Sequence, residues 1–322
     1  MNPHVLDTAA RSVRARKRIR SFIYETPLIP SRQIGRDVGS TVLFKAENMQ
    51  LTGSFKIRGA AAKMTSVSRE TPVVTASSGN HGIGAAMAAS AIGQKLTVVL
   101  PETVKKAKLD RIRSFDVHVV LHGAETGLAE QHAQYLAKEK GLVYVSPYND
   151  PEIVAGQGTI ALEMLDQAGQ IDNVFVAMGG GGLISGIGSV LKSFTPATRI
   201  FGASARNSAA LAASIEAGRV IETDHLDTLA DAVAGGIDDD TITLGLSKSV
   251  IDEVVVCDEH EIAAAMRNLL VSEHVLVEGA AALALAAFQR VADRLRGQTS
   301  VVVLCGGNVD SEATLTSILR GK

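Results

Sequence analysis

Cysteine, net charge and long apolar runs are scarce in this sequence, and each shortage excludes a class of protein. Its 322 residues include two cysteines, Cys257 and Cys305, too few and too far apart for a disulfide framework or a cysteine zinc cluster. A reducing, cytoplasmic setting is therefore expected. Lys plus Arg number 32 against 34 Asp plus Glu, a formal net charge of -2, so no overall field selects nucleic acid or an anionic membrane. Phosphate recognition has to be local. No segment is apolar for long enough to span a bilayer. The first residues, MNPHVLDTAARSVRARKRIRSF, mix acid with base where a signal peptide needs a continuous apolar stretch. They read as an amphipathic surface helix with Val5, Val13, Ile19 and Phe22 turned inward. No internal repeat, low-complexity tract or linker marks a domain boundary. The histidines are not accompanied by a cysteine or carboxylate set that would complete a zinc site, so no metal site is expected.

What the sequence does hold is 46% apolar residues, enough for a substantial core. Short β-branched runs alternate with longer Ala- and Leu-rich stretches, the pattern of a parallel sheet covered by helices. The expected strands are 41–47, 72–76, 95–100, 117–121, 142–145, 173–178, 199–204, 253–257 and 300–305, and the expected helices include 83–91, 104–115, 124–140 and 279–295. The fold class is α/β.

Glycine falls where strands hand over to helices. PVVTA is followed by SSGNHG, NVFVAM by GGGG and SVVVLC by GGN. Ligands of open α/β sheets gather at the carboxyl ends of strands, so one site can draw on all three turns. Gly179, Gly180, Gly181 and Gly182 remove every side chain from their turn and leave backbone amides to face a phosphate at a helix start. They lack the Gly-Lys-Ser/Thr closure of a Walker loop and the spacing of a dinucleotide fingerprint. A tight turn without a ligand is the competing reading. Ser77, Ser78, Gly79, Asn80, His81 and Gly82 can bind a carboxylate through hydroxyls and amides, or can form a plain helix N-cap. Cys305 is either a buried small residue or a thiol facing a ligand; Cys257 reads as core.

Lys56, in NMQLTGSFKIRGA, is the sharpest feature. A lysine on a short helix is ordinarily a solvated charge. Here Phe55, Ile57, Ala60, Ala61 and Ala62 surround it, and burial would lower its pKa and free the amine to attack an aldehyde.

Taken in order and spacing, SFKIRGA, SSGNHG, NDPEIVAGQGTIALEM (149–164), GGGGLISG (179–186) and CGGNVD (305–310) resemble the fold type II pyridoxal-phosphate enzymes. More narrowly, the chain is similar to threonine and serine dehydratases (ammonia-lyases), eukaryotic-type serine racemases and the dehydratase of hydroxyectoine breakdown, from about residue 20 to the carboxyl end. The resemblance implies a tryptophan synthase β-like architecture of two lobes, each with a mainly parallel sheet: residues 1–65 and 148–322 as the large cofactor-binding domain, and 66–147 as a small mobile one. It also implies a homodimer and pyridoxal 5'-phosphate as cofactor.

Position by position, it makes Lys56 the covalent anchor of the cofactor and carrier of the α-proton. Phe55 packs beside the ring, Asn80 hydrogen-bonds its 3-hydroxyl oxygen, and Gly179 to Gly182 cradle the phosphate. Cys305 faces the pyridine nitrogen as a neutral partner, where threonine dehydratases commonly have serine. Ser77 with Ser78, Gly79, Asn80 and His81 receives the substrate carboxylate. Ser78 also stands where racemases carry a serine acting on the face opposite the lysine. Where racemases bind a divalent cation through an acid, this chain reads Gly202-Ala203-Ser204-Ala205-Arg206, so that site is expected to be absent or altered.

The implied reaction is dehydration and deamination of a small β-hydroxy amino acid, L-threonine or L-serine, to a 2-oxo acid and ammonia. The alternatives are a hydroxyectoine-pathway dehydratase, to which TLADAVAGGI and EVVVCDEHEIAAAM are also similar, a dehydratase of bulkier 3-hydroxy amino acids, and a serine racemase. A non-catalytic phosphate-ligand-binding protein, with Lys56 in an ion pair only, is the alternative of another class. The chain stops soon after CGGNVD, so feedback control through an added regulatory region is not expected.

Overall fold

A computed structural model describes residues 2–309, 316 and 318. Asp310, the last residue of the CGGNVD stretch, lies outside them. In chain order the strands are β1 (Leu28–Pro30), β2 (Thr41–Lys45), β3 (Val73–Ala76), β4 (Leu96–Leu100), β5 (His118–Leu121), β6 (Val143–Tyr144), β7 (Asn173–Ala177), β8 (Arg199–Ala205), β9 (Glu253–Cys257) and β10 (Thr299–Val303). The helices are α1 (Pro3–Ile19), α2 (Lys56–Met64), α3 (Asn80–Ile92), α4 (Lys106–Arg113), α5 (Thr126–Lys140), α6 (Pro151–Gln167), α7 (Gly182–Phe194), α8 (Ala210–Ala217), α9 (Ile242–Val250), α10 (Glu259–Val271) and α11 (Gly279–Val291).

Every run expected to be a strand carries one. They form two sheets, a six-stranded one in the order β1-β2-β10-β7-β8-β9 and a four-stranded one in the order β5-β4-β3-β6. All pairings are parallel except β1 with β2. β1 escapes sequence reading because three residues show no period, and its Pro30 is tolerated at the sheet edge.

Burial on both faces explains the continuous apolar strands: β7 is buried along its whole length. Phe175 and Phe201 stack at 4.5 Å between ring centroids, and Phe288 of α11 meets Phe175 edge-on at 5.5 Å. The alanines of α11 let that helix lie close against the sheet. The amino-terminal helix forms, but Val13 is 38% exposed, against expectation. The buried stripe runs through Val5, Ala9, Ser12, Ala15 and Ile19, and Val13 is one residue, about 100°, off that line. Phe22 is half-buried against the α2–α3 core.

Helix α2, which begins at Lys56, is clamped from two sides. A Cβ on Gly84 of α3 would come within 2.8 Å of the Ile57 backbone nitrogen, so only glycine lets the two helices approach this closely. On the other side, Arg58 is fully buried. Its guanidinium donates to Glu47 at 2.8 Å and to Glu163 of α6 at 2.6 Å, and Lys45 of β2 donates to the same Glu163 at 2.6 Å. Burial opposes the charge on Arg58, but the two carboxylates outweigh it and raise its pKa.

Candidate active site

A cavity of about 850 Å³ lies where the carboxyl ends of both sheets meet. Phe55, Lys56, Ser77, Ser78, Gly79, Asn80, His81, Gly179, Gly180, Gly181, Gly182 and Cys305 all border it. Residues up to 250 positions apart in sequence, by subtraction of 55 from 305, therefore face one space.

The Thr52–Ser54 turn delivers Lys56 because it is stitched to the end of β10. Phe55 N donates to Cys305 O at 3.1 Å, Gly307 N donates to Gly53 O at 2.8 Å, and Ser54 bridges to Gly306. The Lys56 ammonium donates to Pro147 O at 3.0 Å. Burial lowers its pKa from 10.5 to about 8, with Cys305 and Glu278 opposing the shift. A desolvated lysine of this kind is a competent nucleophile.

The four glycines link β7 to α7. Gly181 is the N-cap with φ +84°, and a Cβ on Gly180 would sit 2.5 Å from the Tyr148 ring. The turn is thus floored by an aromatic face, with Thr243 Oγ1 donating to Gly180 O at 2.7 Å. The amino end of a 13-residue helix, bare of side chains, suits an anion.

The SSGNHG turn opens α3. Gly79 is the N-cap and no side chain caps the helix, so the plain capping role is not the one these polar groups take. Ser77 Oγ instead accepts from Gly79 N at 3.2 Å, and Ser78 borders the cavity. His81 borders it too, but its Nε2 lies 2.9 Å from Thr75 Oγ1 and 3.0 Å from Val145 O. Burial, with Lys56 nearby, lowers its pKa to about 3, so the imidazole is neutral. Cys305 is buried, and burial followed by the Glu278 charge holds its thiol well above the ordinary pKa. Cys257, by contrast, ends β9 inside the core.

Sequence reasoning missed Glu278 and Tyr148. Glu278 is the N-cap of α11 but makes no capping bond; Asn80 Nδ2 donates to its carboxylate, lying 2.9 Å from each of the two oxygens. Burial raises its pKa from 4.5 to about 7, Asn80 lowers it, and Asp231 raises it further. The only signal was an acid placed directly before the all-small run Gly279-Ala280-Ala281-Ala282. Tyr148 left none, since its role appears only when its ring meets Gly180.

A primary amine freed by burial, a side-chain-free helix start and a neutral thiol suit an aldehyde that also carries a phosphate and a ring nitrogen. Residues 19–306 match the family described as pyridoxal-phosphate dependent enzyme. The chain belongs to that family. Among pyridoxal-phosphate enzymes it is 39% identical, over 312 residues, to an L-threonine ammonia-lyase of Geobacter sulfurreducens, covering 94% of this chain and 76% of that one. The fold superposes on the processed form of threonine deaminase isoform 2 from Solanum lycopersicum with a TM-score of 0.93 and 28% identity, over 100% of this chain and 94% of that one. It also superposes on maize serine racemase with a TM-score of 0.88 and 30% identity, covering 97% and 96%. Pyridoxal phosphate is the cofactor, and the glycine cradle fits it: a Cβ at Gly180 would fill the space against Tyr148.

Proposed function

We propose that this enzyme dehydrates and deaminates a small β-hydroxy amino acid, L-threonine or L-serine, to a 2-oxo acid and ammonia. The observation that carries the reading is the meeting of the Lys56 amine, the glycine start of α7 and the Cys305 thiol in one cavity. Similarity to the threonine ammonia-lyase and threonine deaminase named above supports the choice of substrate.

In this reading Lys56 holds the cofactor, Gly179 to Gly182 bind its phosphate, Phe55 packs beside it and Asn80 donates toward its ring hydroxyl. Bound there, pyridoxal phosphate supplies an aldehyde for the substrate amine and a conjugated ring that weakens the Cα–H bond. Ser77, Ser78 and the amides opening α3 receive the substrate carboxylate. Displaced from the aldehyde by the substrate amine, Lys56 Nζ would be free to take the proton from Cα, a task suited to an amine whose pKa is lowered to about 8. Cys305, a neutral thiol, leaves the ring nitrogen without a carboxylate partner, which favours prompt departure of the β-hydroxyl. Residues 66–147 close over the substrate as a unit and exclude water, with 1–65 and 148–322 as the body they close against.

Ser78 supports a second activity, racemisation, since it borders the cavity and a serine racemase shares the fold. We place the enzyme in the cytoplasm as a homodimer, as the resemblance to the dehydratases implies; both cysteines are free, and among the described residues no helix is long and apolar enough to cross a membrane.

The test is to incubate the purified enzyme with L-threonine, L-serine, bulkier 3-hydroxy amino acids and hydroxyectoine-derived intermediates, recording 2-oxo acid, ammonia and the enantiomer of remaining substrate. Oxo acid and ammonia from threonine or serine are expected, with loss of the visible cofactor band in Lys56→Ala. Inversion of the substrate without oxo acid would overturn the reading.

A further inference from the structure

Asn308, in the CGGNVD stretch, also borders the cavity. Both ends of its side-chain amide are hydrogen-bonded. Nδ2 donates to Asn80 Oδ1 at 2.7 Å and to Thr52 O at 2.9 Å, while Oδ1 accepts from Arg111 Nη1 at 3.2 Å. Gly53, at φ +74°, makes room for this amide: a Cβ there would lie 2.6 Å from Asn308 Oδ1.

These bonds have a direction. A guanidinium only donates and an ionised carboxylate only accepts, whereas a side-chain amide can face either way. With Arg111 as donor, Asn308 has to turn its oxygen toward α4 and its NH2 toward Asn80. Asn80 then has to present its oxygen to Asn308 and its own NH2 to Glu278 and the cavity. The chain runs one way, from Arg111 on α4 through Asn308 after β10 and Asn80 on α3 to Glu278 before α11, and crosses between the two sheets at each step.

We infer that Asn308 is a positioning residue for the reaction: it fixes the polarity of the Asn80 amide, so that Asn80 offers N–H rather than C=O to the ring hydroxyl of the cofactor. The inference rests on the reading of Asn80 given under the proposed function. It differs from a simple tie between the two sheets, because a tie requires contact whereas polarity requires a donor.

Asn308→Asp separates the two. An aspartate keeps the size of asparagine and makes a charge-assisted bond to Arg111, so the tie to α4 is preserved although the donation to Thr52 O is given up. It cannot donate, so Asn80 has to turn its NH2 to residue 308 and its oxygen to Glu278 and the cofactor. Losing one such bond is worth roughly tenfold. Cofactor affinity, measured by titrating unloaded enzyme with pyridoxal phosphate, is expected to weaken about tenfold. The ratio of the bound cofactor's visible and near-ultraviolet bands changes, and kcat falls by about tenfold while KM moves less than about threefold. Asn308→Ala leaves Asn80 oriented by Glu278 alone rather than reversed, so its losses are about threefold. Thermal unfolding of both unloaded variants shows whether they fold.

An Asn308→Asp enzyme that binds cofactor with wild-type affinity and spectrum overturns the inference, as does Asn308→Ala being the worse of the two. Failure of the wild-type protein to take up the cofactor would bring down the proposed function, and this inference with it.

Discussion

A lysine amine attacks an aldehyde only when unprotonated, so under the proposed role of Lys56 its pKa sets the pH at which the unloaded enzyme takes up its cofactor. Burial lowers that pKa from 10.5 to about 8, and the unprotonated fraction therefore appears at lower pH than for a solvated lysine. The uptake rate, followed by stopped-flow absorbance, is expected to rise with pH, bend near 8 and level off above it. A rate still climbing tenfold per unit between pH 9 and 10 would contradict the assignment. At this scale the sequence was legible for Lys56, whose apolar neighbours foretold its burial, and silent for Glu278. An acid ahead of an alanine-rich helix looks like an ordinary N-cap until the fold turns its carboxylate to Asn80.

The element to which the proposed function assigns the cofactor phosphate is the β7-to-α7 turn, where backbone rather than side chains faces the cavity. A methyl group at Gly180 would need the space of the Tyr148 ring, 2.5 Å away, and Tyr148 is held by Asp238 N donating to its hydroxyl at 2.7 Å. Gly180→Ala is expected to weaken cofactor affinity by at least about tenfold, since overpacking costs about 1–3 kcal/mol. Equilibrium titration with pyridoxal phosphate measures it, and unchanged affinity would show that the cradle is not the phosphate site. The four-glycine turn was plain in the sequence, but its floor was not. Residues 148 and 180 have no period or motif in common, and only the approach of two loops puts them in contact.

For the whole molecule, the buried charges around Arg58 join elements distant in sequence: β2, the turn holding Glu47, α2 and α6. Replacing Arg58 with leucine leaves Glu47 and Glu163 facing one another without their shared cation. Removing one member of a buried pair costs about 3–5 kcal/mol, so Arg58→Leu should lower the urea midpoint of the unloaded enzyme markedly. An unchanged midpoint would mean that Lys45 alone compensates both acids. The sequence by itself determined a parallel sheet covered by helices and the three strand ends where a ligand can bind, because apolar strand runs and glycine turns are local properties of the chain; two separate lobes were implied only by the resemblance. It also carried the ordered stretches by which the family is recognised. The tertiary structure alone decided that Lys56, the glycine cradle, Cys305 and Glu278 share one cavity, and which way the amides of Asn80 and Asn308 face. Those depend on bonds between residues as far apart as Asn80 and Asn308, and such pairings arise only when the sheets are folded against each other.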